Sequence, residues 1–212
     1  MTTPLIIIGA GEHATVLLDI LLSQKQKVIA LTSVNNDKKD IFGIPIIKDE
    51  EVIKNFKPSK VLLINGIGSI GSTELRKKVF LKFKENGFSF EKVIHPSAII
   101  SNYALLGEGV QILAGAIVNT GANILENTIL NTKVSVDHDC KIGCHVHIAP
   151  GCTLSGCVSI GAETHIGTAS CVIQGISIGE KTLIGAGSVV IKDIPSNTKA
   201  YGNPAKVIHK YE

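Results

Sequence analysis

The sequence contains no tryptophan, and its 212 residues include only three tyrosines and six phenylalanines. A bulky globular core is therefore a poor fit, whereas many isoleucines, valines and glycines suit thin, regular strands. Charged residues make up 18% of the chain, the net charge is +3, and no block of basic residues stands out. Nothing here supports a nucleic-acid-binding surface, although a mildly positive chain suits an anionic small molecule.

Long apolar runs are also missing. The run from Leu5 to Ile8 is far too short for a secretion signal, and no segment approaches the length of a membrane span. The cysteines number five, which is odd, and all of them lie in the C-terminal half. Cys140 and Cys152 fall at small inward positions of the repeat described next, where a thiol packs as a small hydrophobe. These features favour a reducing cytoplasm over a disulfide framework.

What the sequence does have is a six-residue period. From Ile100 to Val190 every sixth residue is aliphatic, sixteen times in succession without an insertion. This period fits neither an amphipathic helix nor a single alternating strand. It is typical of a hexapeptide β-helix, in which each hexad is a short strand and a turn, and neighbouring coils complete each other's core. We therefore predict a parallel β-helix domain over residues 93–212, whose last segment caps the open edge.

Residues 1–92 follow a different pattern, in which strands alternate with helices. The predicted strands are 5–8, 27–31 and 61–64, and the predicted helices begin after residue 11, near residue 50 and near residue 73. This alternation indicates a small Rossmann-like parallel α/β domain, whose ligands are expected at the carboxyl ends of the strands.

The first strand ends in Gly9-Ala10-Gly11-Glu12-His13-Ala14, which matches G-x-G-x-x-A. Such glycines let a backbone approach a phosphate at a helix N-terminus, although a tight strand-to-helix turn has the same composition. A dinucleotide site also requires an acidic residue after the second strand. Thr32 and Ser33 stand there, with Asp37 further on, so we expect a nucleotide other than NAD.

The period also serves as a map of the side chains. If three hexads make one coil, residues eighteen apart stack at about 4.8 Å, the spacing between strands. His138 then lies in an outward turn between Asp137 and Asp139. Gly156 lies above it and Thr120 below it, so the space over the imidazole is open.

Three interpretations compete for the histidines of this region. A metal site is suggested by Cys140-x-x-x-Cys144-His145-x-His147, but Cys140 points inward and His147 outward. In the second interpretation, the histidines are solvated residues of turns, and the neighbouring aspartates serve solubility. The third, which we favour, is general-base catalysis, in which a neutral His138 accepts a proton and a neighbouring aspartate fixes its tautomer.

His147 lies in the next hexad, with His165 directly above it and Asn131 close by. His138 and His147 fall on adjacent faces of the coil and are not expected to meet within one subunit. If both serve one site, that site lies between neighbouring subunits of a cyclic oligomer.

Several motifs accompany the hexads: Gly9-Ala10-Gly11, Asn65-Gly66-Ile67-Gly68, Val93-Ile94-His95-Pro96-Ser97-Ala98, Asn131-Thr132, Asp137-His138-Asp139-Cys140-x-Ile142-Gly143 and Gly202-Asn203-Pro204-Ala205. Together they resemble the NeuD/PglD-type sugar acetyltransferases, which acetylate nucleotide-linked amino sugars or sialic acid, and the resemblance covers essentially the whole chain. It implies a left-handed parallel β-helix assembled as a homotrimer. It also implies acetyl-CoA bound between subunits and a nucleotide sugar held partly by residues 1–92.

The resemblance further implies roles for individual residues. The matching catalytic positions are His138 as the base, Asp139 as its acidic partner and Asn131. The matching acetyl-CoA positions are His147, near the acetyl carbonyl, with Gly156, Thr168 and Ala186. The matching nucleotide-sugar positions are Gly11, Glu12, His13 and Gly68, together with Thr32 and Ser33. Glu12 and the Thr32-Ser33 pair depart from the family, which has a small residue and two acids there.

We therefore predict an acetyl-CoA-dependent N-acetyltransferase that acts on a nucleotide-linked amino sugar, in particular a UDP-4-amino-4,6-dideoxyhexose, and needs no metal. His138 would take the proton of the attacking amine, while backbone N–H groups or His147 would bind the oxyanion. No acyl-enzyme is expected, because Cys140 points inward and the map places no thiol beside a base. Two alternatives stay open: O-acetylation of sialic acid or a related sugar, and a non-catalytic nucleotide-sugar-binding scaffold.

Overall fold

The structure is a computed structural model that describes residues 3–34 and 39–210. It divides into two compact units. The first comprises Met1–Gly68 and Leu75–Val93, and the second comprises Ser69–Glu74 and Ile94–Glu212. Asp37, the acidic residue noted after the second strand, lies outside the described residues.

The first unit is built on one five-stranded sheet in the order β3-β4-β2-β1-β5. Its elements are β1 (Leu5–Ile8), α1 (Glu12–Ser23), β2 (Val28–Thr32), β3 (Asp40–Ile41), β4 (Ile44–Ile47), α2 (Asp49–Asn55), a 3-10 helix (Pro58–Lys60), β5 (Leu62–Asn65) and α3 (Glu74–Glu85). β1 is parallel to both β2 and β5, and β2 is parallel to β4. The alternation of buried strands with helices thus gives the predicted α/β arrangement.

The sequence did not predict the β3–β4 hairpin. Its turn has Phe42 and Gly43 at φ angles of 50° and 76°, and the Asp40 carboxylate accepts a hydrogen bond from the Gly43 N–H at 3.2 Å. Two consecutive residues with positive φ suit a tight hairpin. Phenylalanine is an unusual residue in such a turn, so the usual Asn-Gly or Asp-Gly signal is missing.

The second unit is a parallel β-helix with three sheets, in which the strands have two residues each except the last two, which are longer. The first sheet contains β7 (Ile99–Ile100), β10 (Ile117–Val118), β13 (Ser135–Val136), β16 (Thr153–Leu154), β19 (Cys171–Val172) and β22 (Val189–Val190). The second contains β8 (Leu105–Leu106), β11 (Asn123–Ile124), β14 (Lys141–Ile142), β17 (Ser159–Ile160) and β20 (Ser177–Ile178). The third contains β6 (Val93–Ile94), β9 (Gln111–Ile112), β12 (Ile129–Leu130), β15 (His147–Ile148), β18 (His165–Ile166), β21 (Leu183–Ile184), β23 (Thr198–Gly202) and β24 (Ala205–Lys210).

The strands pair in a register of eighteen residues, as Ser135 with Thr153 and Lys141 with Ser159 show. The predicted map of stacked positions is therefore confirmed. The aliphatic residues of the six-residue period point into the coil, and those from Ile112 to Val190 are all buried. Ile100 and Leu106, in the first coil, are partly buried. The core is thus a column of aliphatic layers, each covered by the coil above.

The C-terminal segment extends the last coil. β23 continues the third sheet beside β21, and β24 turns back antiparallel to β23. A further bridge joins Ile178 and Ile194. These pairings occupy strand edges that would otherwise stay open at this end.

The two parts predicted from the sequence, a small α/β sheet and a β-helix of hexapeptide repeats, are both confirmed. In the described part of the chain, none of the helices has the length and apolar character that a bilayer crossing requires.

Candidate functional site

The turns between the first and second sheets stack along one edge of the β-helix, and they include residues 119–122, 137–140 and 155–158. We call this edge the His138 corner. The His138 ring Nδ1 lies 2.9 Å from an Asp139 carboxylate oxygen. Asp137 instead accepts hydrogen bonds from the His138 backbone N–H at 2.7 Å and the Asn119 amide at 2.9 Å. Of the two aspartates, Asp139 therefore holds the ring and Asp137 holds the turn.

Two glycines make room for this pair. A Cβ on Gly156 would lie 2.6 Å from His138 Cε1 and closer still to Nε2. A Cβ on Gly121 would meet the Asp139 carboxylate, which lies over that glycine. Gly156 thus lies over His138 as predicted, but the space beside it is not open. The imidazole is packed against the glycine, so a side chain at Gly156 would have to displace the ring.

The His138 side chain is 52% exposed and that of Asp139 is 64% exposed. The hydrogen bond to Asp139 raises the pKa of His138, and the charges of Asp137 and Asp139 act in the same direction. Because Nδ1 faces a carboxylate, the neutral ring carries its proton on Nδ1, and Nε2 keeps a lone pair that can accept a proton. This is the arrangement required of a general base.

The structure corrects one expectation for this corner, because a thiol does lie beside the base. Cys157 Sγ, a His138 ring nitrogen and an Asp139 carboxylate oxygen all lie within 4.8 Å of one another. The eighteen-residue map was applied to His138, which it aligned with Gly156. It was not applied to Asp139, over which Cys157 stacks. Both residues have positive φ, 62° and 57°.

The metal site weighed from the sequence, with Cys140, Cys144, His145 and His147, is not formed. Cys140 is buried and donates to the Ser155 carbonyl oxygen, and burial raises its pKa to about 11. Within residues 3–34 and 39–210, the ligand-type side chains that gather closely enough for one ion are those of His138, Asp139 and Cys157.

His147 lies in the third sheet, on a different part of the coil. Its Nε2 is 3.1 Å from the Asn131 amide nitrogen, and its Nδ1 is 2.6 Å from Ser69 Oγ. Its ring lies edge-on to that of His165, with centroids 4.9 Å apart. The predicted neighbours Asn131 and His165 are thus both in place. Ser69 was not predicted, since nothing in the sequence links it to a residue 78 positions away.

The contacts of His147 bear on its predicted role at the acetyl carbonyl. The residue is only 6% exposed. If the Asn131 amide donates to Nε2, the ring proton is on Nδ1 and is shared with Ser69. A neutral His147 in this state has no proton on Nε2 to donate to an oxyanion. The geometry therefore fits a residue that orients Asn131, and the carbonyl role stays a prediction.

The other predicted acetyl-CoA positions lie on two edges of the coil. Gly156 belongs to the His138 corner, whereas Thr168 and Ala186 stack as exposed residues in turns that leave the third sheet. A cleft of about 740 Å³ runs along the second sheet, next to the His138 corner, and its lining includes none of His147, Gly156, Thr168 and Ala186. Lys141, Ser159, Ser177 and residues 193–196 line it. Its volume lies within the range of small-molecule sites.

In the first unit, the predicted nucleotide-sugar positions gather at the carboxyl ends of the strands. Gly11 precedes α1, and Glu12 and His13 are its first two residues. Gly68 packs against them, because a Cβ on this glycine would lie 3.1 Å from His13 Cβ. The N-terminus of α1 carries the positive end of the helix dipole and has no side-chain cap, which suits a phosphate.

Thr32 has a role that the sequence did not suggest. It is fully buried, and its hydroxyl accepts a hydrogen bond from the Gly9 N–H at 3.0 Å and donates a short one to the Asp49 carboxylate. The hydroxyl therefore links the glycine turn to an acid at the start of α2. Ser33 is half-buried and donates its backbone N–H to Ile47. Asp49 therefore places a carboxylate beside the end of β2.

A buried arginine holds the glycine-containing loop formed by residues 65–68. Arg76 donates from Nη1 to the carbonyl oxygens of Asn65 at 2.9 Å and Ile67 at 2.7 Å. Burial lowers its pKa to about 9, so it keeps its charge at neutral pH. Asn65 in turn accepts from the Ile67 N–H. These bonds turn the carbonyl oxygens inward and fix the loop beside His13.

Comparison with known proteins agrees with both halves of this description. Residues 4–83 match the family described as the PglD N-terminal domain. The acetyltransferase domain of PglB from Neisseria gonorrhoeae FA1090 is 31% identical with a TM-score of 0.90, and the match covers 98% of this chain and 100% of that one.

A second similar structure is PerB from Caulobacter crescentus, solved in complex with CoA and GDP-perosamine. It is 35% identical with a TM-score of 0.89, and the match covers 97% of each chain. The PglB domain has also been solved with acetyl coenzyme A, where the identity is 30%, the TM-score is 0.88 and the coverage is 98% of this chain and 100% of that one. On this similarity, which extends over both units, the chain belongs to the PglD-type sugar acetyltransferase family.

Proposed function

We propose that the protein is an acetyl-CoA-dependent N-acetyltransferase that acts on the amino group of a nucleotide-linked 4-amino-4,6-dideoxyhexose. The observation that carries this proposal is the His138 corner, where Asp139 holds Nδ1 and Nε2 remains free to accept a proton. Membership of the family supplies the acetyl donor and the class of acceptor, because similar structures contain CoA, acetyl-CoA and GDP-perosamine. The cytoplasm, where acetyl-CoA is available, is the proposed location, and the five free cysteines suit it.

The chemistry requires a neutral amine. As the amine nitrogen attacks the thioester carbonyl, it becomes positively charged and must lose a proton. His138 Nε2 accepts that proton, and the charge that develops on the imidazole is stabilised by Asp139 at 2.9 Å. The tetrahedral intermediate then expels CoA as the thiol or thiolate. No covalent acyl-enzyme is needed, because the amine itself is the nucleophile.

We propose that acetyl-CoA binds along the second sheet, in the cleft that begins beside the His138 corner. Lys141 follows the base by three residues and lines this cleft, so it can attract the phosphates of the cofactor. Gly156 belongs to the His138 corner, whereas Thr168 and Ala186 lie on another edge of the coil. All three would face one cofactor only if the two edges came from neighbouring subunits that meet at the cleft. A homotrimer with its sites between subunits, in which Asn131 and His147 of one subunit approach His138 of the next, satisfies this requirement.

We propose that the nucleotide part of the acceptor binds at the strand ends of the first unit. Its diphosphate would lie at the N-terminus of α1, against Gly11 and His13, with Gly68 beside them. Glu12, which is exposed, would contact the nucleotide sugar beside them. UDP is the nucleotide we propose from the sequence, and the GDP-perosamine complex of PerB makes GDP the first alternative to test.

The acceptor class can be tested by identifying the product. The protein is incubated with acetyl-CoA and, in separate reactions, with UDP-, GDP- and dTDP-linked 4-amino sugars and with sialic acid. The proposal predicts an acetylated nucleotide sugar whose acetyl group resists hydroxylamine, as an amide does. A hydroxylamine-sensitive ester on a sugar hydroxyl would establish O-acetylation instead. Tight binding of a nucleotide sugar with no product from any acceptor would establish a non-catalytic scaffold.

The hydrogen bond between His138 and Asp139 predicts the pH dependence of the reaction. The base must be neutral, so kcat/KM falls at acidic pH as His138 is protonated, with a pKa above the ordinary histidine value of about 6.5. Asp139→Asn removes the main cause of that raised pKa. We expect the acidic limb of the profile to move to lower pH and kcat to fall roughly 10–100-fold, because the ring is less well oriented.

The matched control is Asp137→Asn, since Asp137 holds the backbone and Asn119 rather than the ring. Its acidic limb should move less, because Asp137 acts on His138 only through its charge. Equal shifts in the two variants, measured from kcat/KM between pH 5 and 9, would argue against Asp139 as the partner of the base.

The Thr32 hydroxyl predicts an effect on acceptor binding. Thr32→Val keeps the shape of the side chain but removes the link between Gly9 and Asp49. The loss of a buried hydrogen-bonding group costs about 1–2 kcal/mol, so KM for the nucleotide sugar should rise roughly 5–30-fold while kcat stays within about twofold. Ser23→Ala, at the opposite end of α1, removes a hydroxyl that donates to the Ile20 carbonyl oxygen and serves as the control. An unchanged KM in a folded Thr32→Val protein would exclude this role.

A further inference from the structure

The residues beside the catalytic base have the composition of a metal site. His138, Asp139 and Cys157 offer one imidazole nitrogen, one carboxylate oxygen and one thiol sulfur, all within 4.8 Å of one another. The three come from two successive coils, because Cys157 lies one coil above Asp139 and donates its backbone N–H to the His138 carbonyl oxygen at 2.9 Å. All three side chains are exposed, so an ion can reach them from solvent.

From this geometry we propose that His138, Asp139 and Cys157 form an inhibitory zinc site, in which the ion binds the base and stops acetyl transfer. The inhibitory role rests on the proposed function, whereas the binding site itself does not.

The donor set selects the kind of ion. Nitrogen and sulfur donors together favour Zn²⁺ over Mg²⁺ or Ca²⁺, which prefer oxygen. Zinc bonds of about 2.0–2.3 Å place tetrahedral ligand atoms about 3.4–3.6 Å apart. The three ligand atoms lie within 4.8 Å of one another, and rotations of the exposed Asp139 and Cys157 side chains would bring them to this spacing. A water molecule would fill the fourth position.

The position of the ion explains why it would inhibit. His138 Nδ1 and the Asp139 carboxylate lie 2.9 Å apart, so an ion bound to both takes the place of the proton on Nδ1, which is released to solvent. A neutral imidazole has one N–H proton, so a ring that binds a metal through Nδ1 takes up a proton from solvent on Nε2. Nε2 then has no lone pair with which to accept the proton of the sugar amine. Zinc should therefore lower kcat and leave the binding of acetyl-CoA largely unchanged.

The site is tested first by spectroscopy, which needs no activity. Metal-free protein is titrated with Co²⁺, which shows a thiolate-to-metal charge-transfer band when a cysteine binds it, and Zn²⁺ is then added to displace it. We expect the band in the unchanged protein and in Cys171→Ser, which removes another exposed thiol, and its loss in Cys157→Ser. A band that survives in Cys157→Ser, or that is missing from the unchanged protein, would overturn the site.

Inhibition is tested next with the same variants at increasing free Zn²⁺. Initial rates are followed by chromatography of the acetylated sugar, because released CoA has a thiol that binds zinc. Relative to the metal-free rate of each variant, the inhibition constant should be at least about tenfold higher in Cys157→Ser than in Cys171→Ser. Equal inhibition of both variants would overturn the inhibitory role. A protein that shows the cobalt band but acetylates no acceptor would disprove the proposed function and still support the metal site.

Discussion

Replacing His138 with alanine is expected to lower kcat for acetyl transfer by about 10²–10⁴-fold, the usual contribution of a general base. The proton of the attacking amine then has to leave to water. The fold should be preserved, because His138 is half exposed and lies in a turn whose shape depends on backbone bonds and on Asp137. KM for acetyl-CoA should change little, since the imidazole is not part of the cleft.

The control for this variant is His209→Ala, which removes an exposed histidine from β24 and should retain the wild-type rate. Circular dichroism and the oligomeric state of both variants show whether the fold is kept. His138→Ala with more than about a tenth of the wild-type kcat would exclude His138 as the base.

Replacing Gly156 with alanine should have an effect nearly as large, although alanine carries no reactive group. The added Cβ would occupy the space of the His138 ring, 2.6 Å from Cε1, so the imidazole must rotate away from Asp139. A displacement of about 1 Å at a reacting group can cost roughly 10²-fold in rate, and we expect a fall in kcat of that size. The stability of the protein should change little, because the ring can move into solvent.

Gln174→Ala is the matched control, because Gln174 is exposed and occupies the same turn position one coil above Gly156. It introduces the same residue into the same type of turn without touching His138. If Gly156→Ala kept the wild-type kcat, the position of the ring against Asp139 would not matter for the reaction.

The β-helix could be predicted from the sequence because its period is a direct consequence of packing. Each coil buries one aliphatic residue per hexad, and a register of eighteen residues follows once three hexads form a coil. That register correctly placed Gly156 over His138, His165 over His147, and Asn131 near His147. The β3–β4 hairpin had no comparable signal, because its turn uses Phe42 instead of asparagine or aspartate.

The candidate site could be predicted only as far as stacking determines it. Cys157 was missed because the eighteen-residue alignment was applied to His138 and not to Asp139, over which Cys157 stacks. Ser69, which bonds His147, and Asp49, which bonds Thr32, depend on where loops meet strands far away in the chain. Loop paths follow from tertiary packing, and no local pattern in the sequence encodes them. The identity of the sugar also depends on such loop contacts, so the sequence alone could not predict it.

The central claim is that the His138 corner transfers an acetyl group from acetyl-CoA directly to a sugar amine. The most direct measurement is the rate at which CoA appears with a nucleotide-linked 4-amino-4,6-dideoxyhexose as the sole acceptor, recorded for wild type and His138→Ala alongside the intact mass of the protein. We predict one amide formed per CoA released, a rate at least about 10²-fold lower in the variant, and no acetylated protein. An equal rate in both proteins, or an acetyl group on Cys157 that passes to the sugar, would contradict the account.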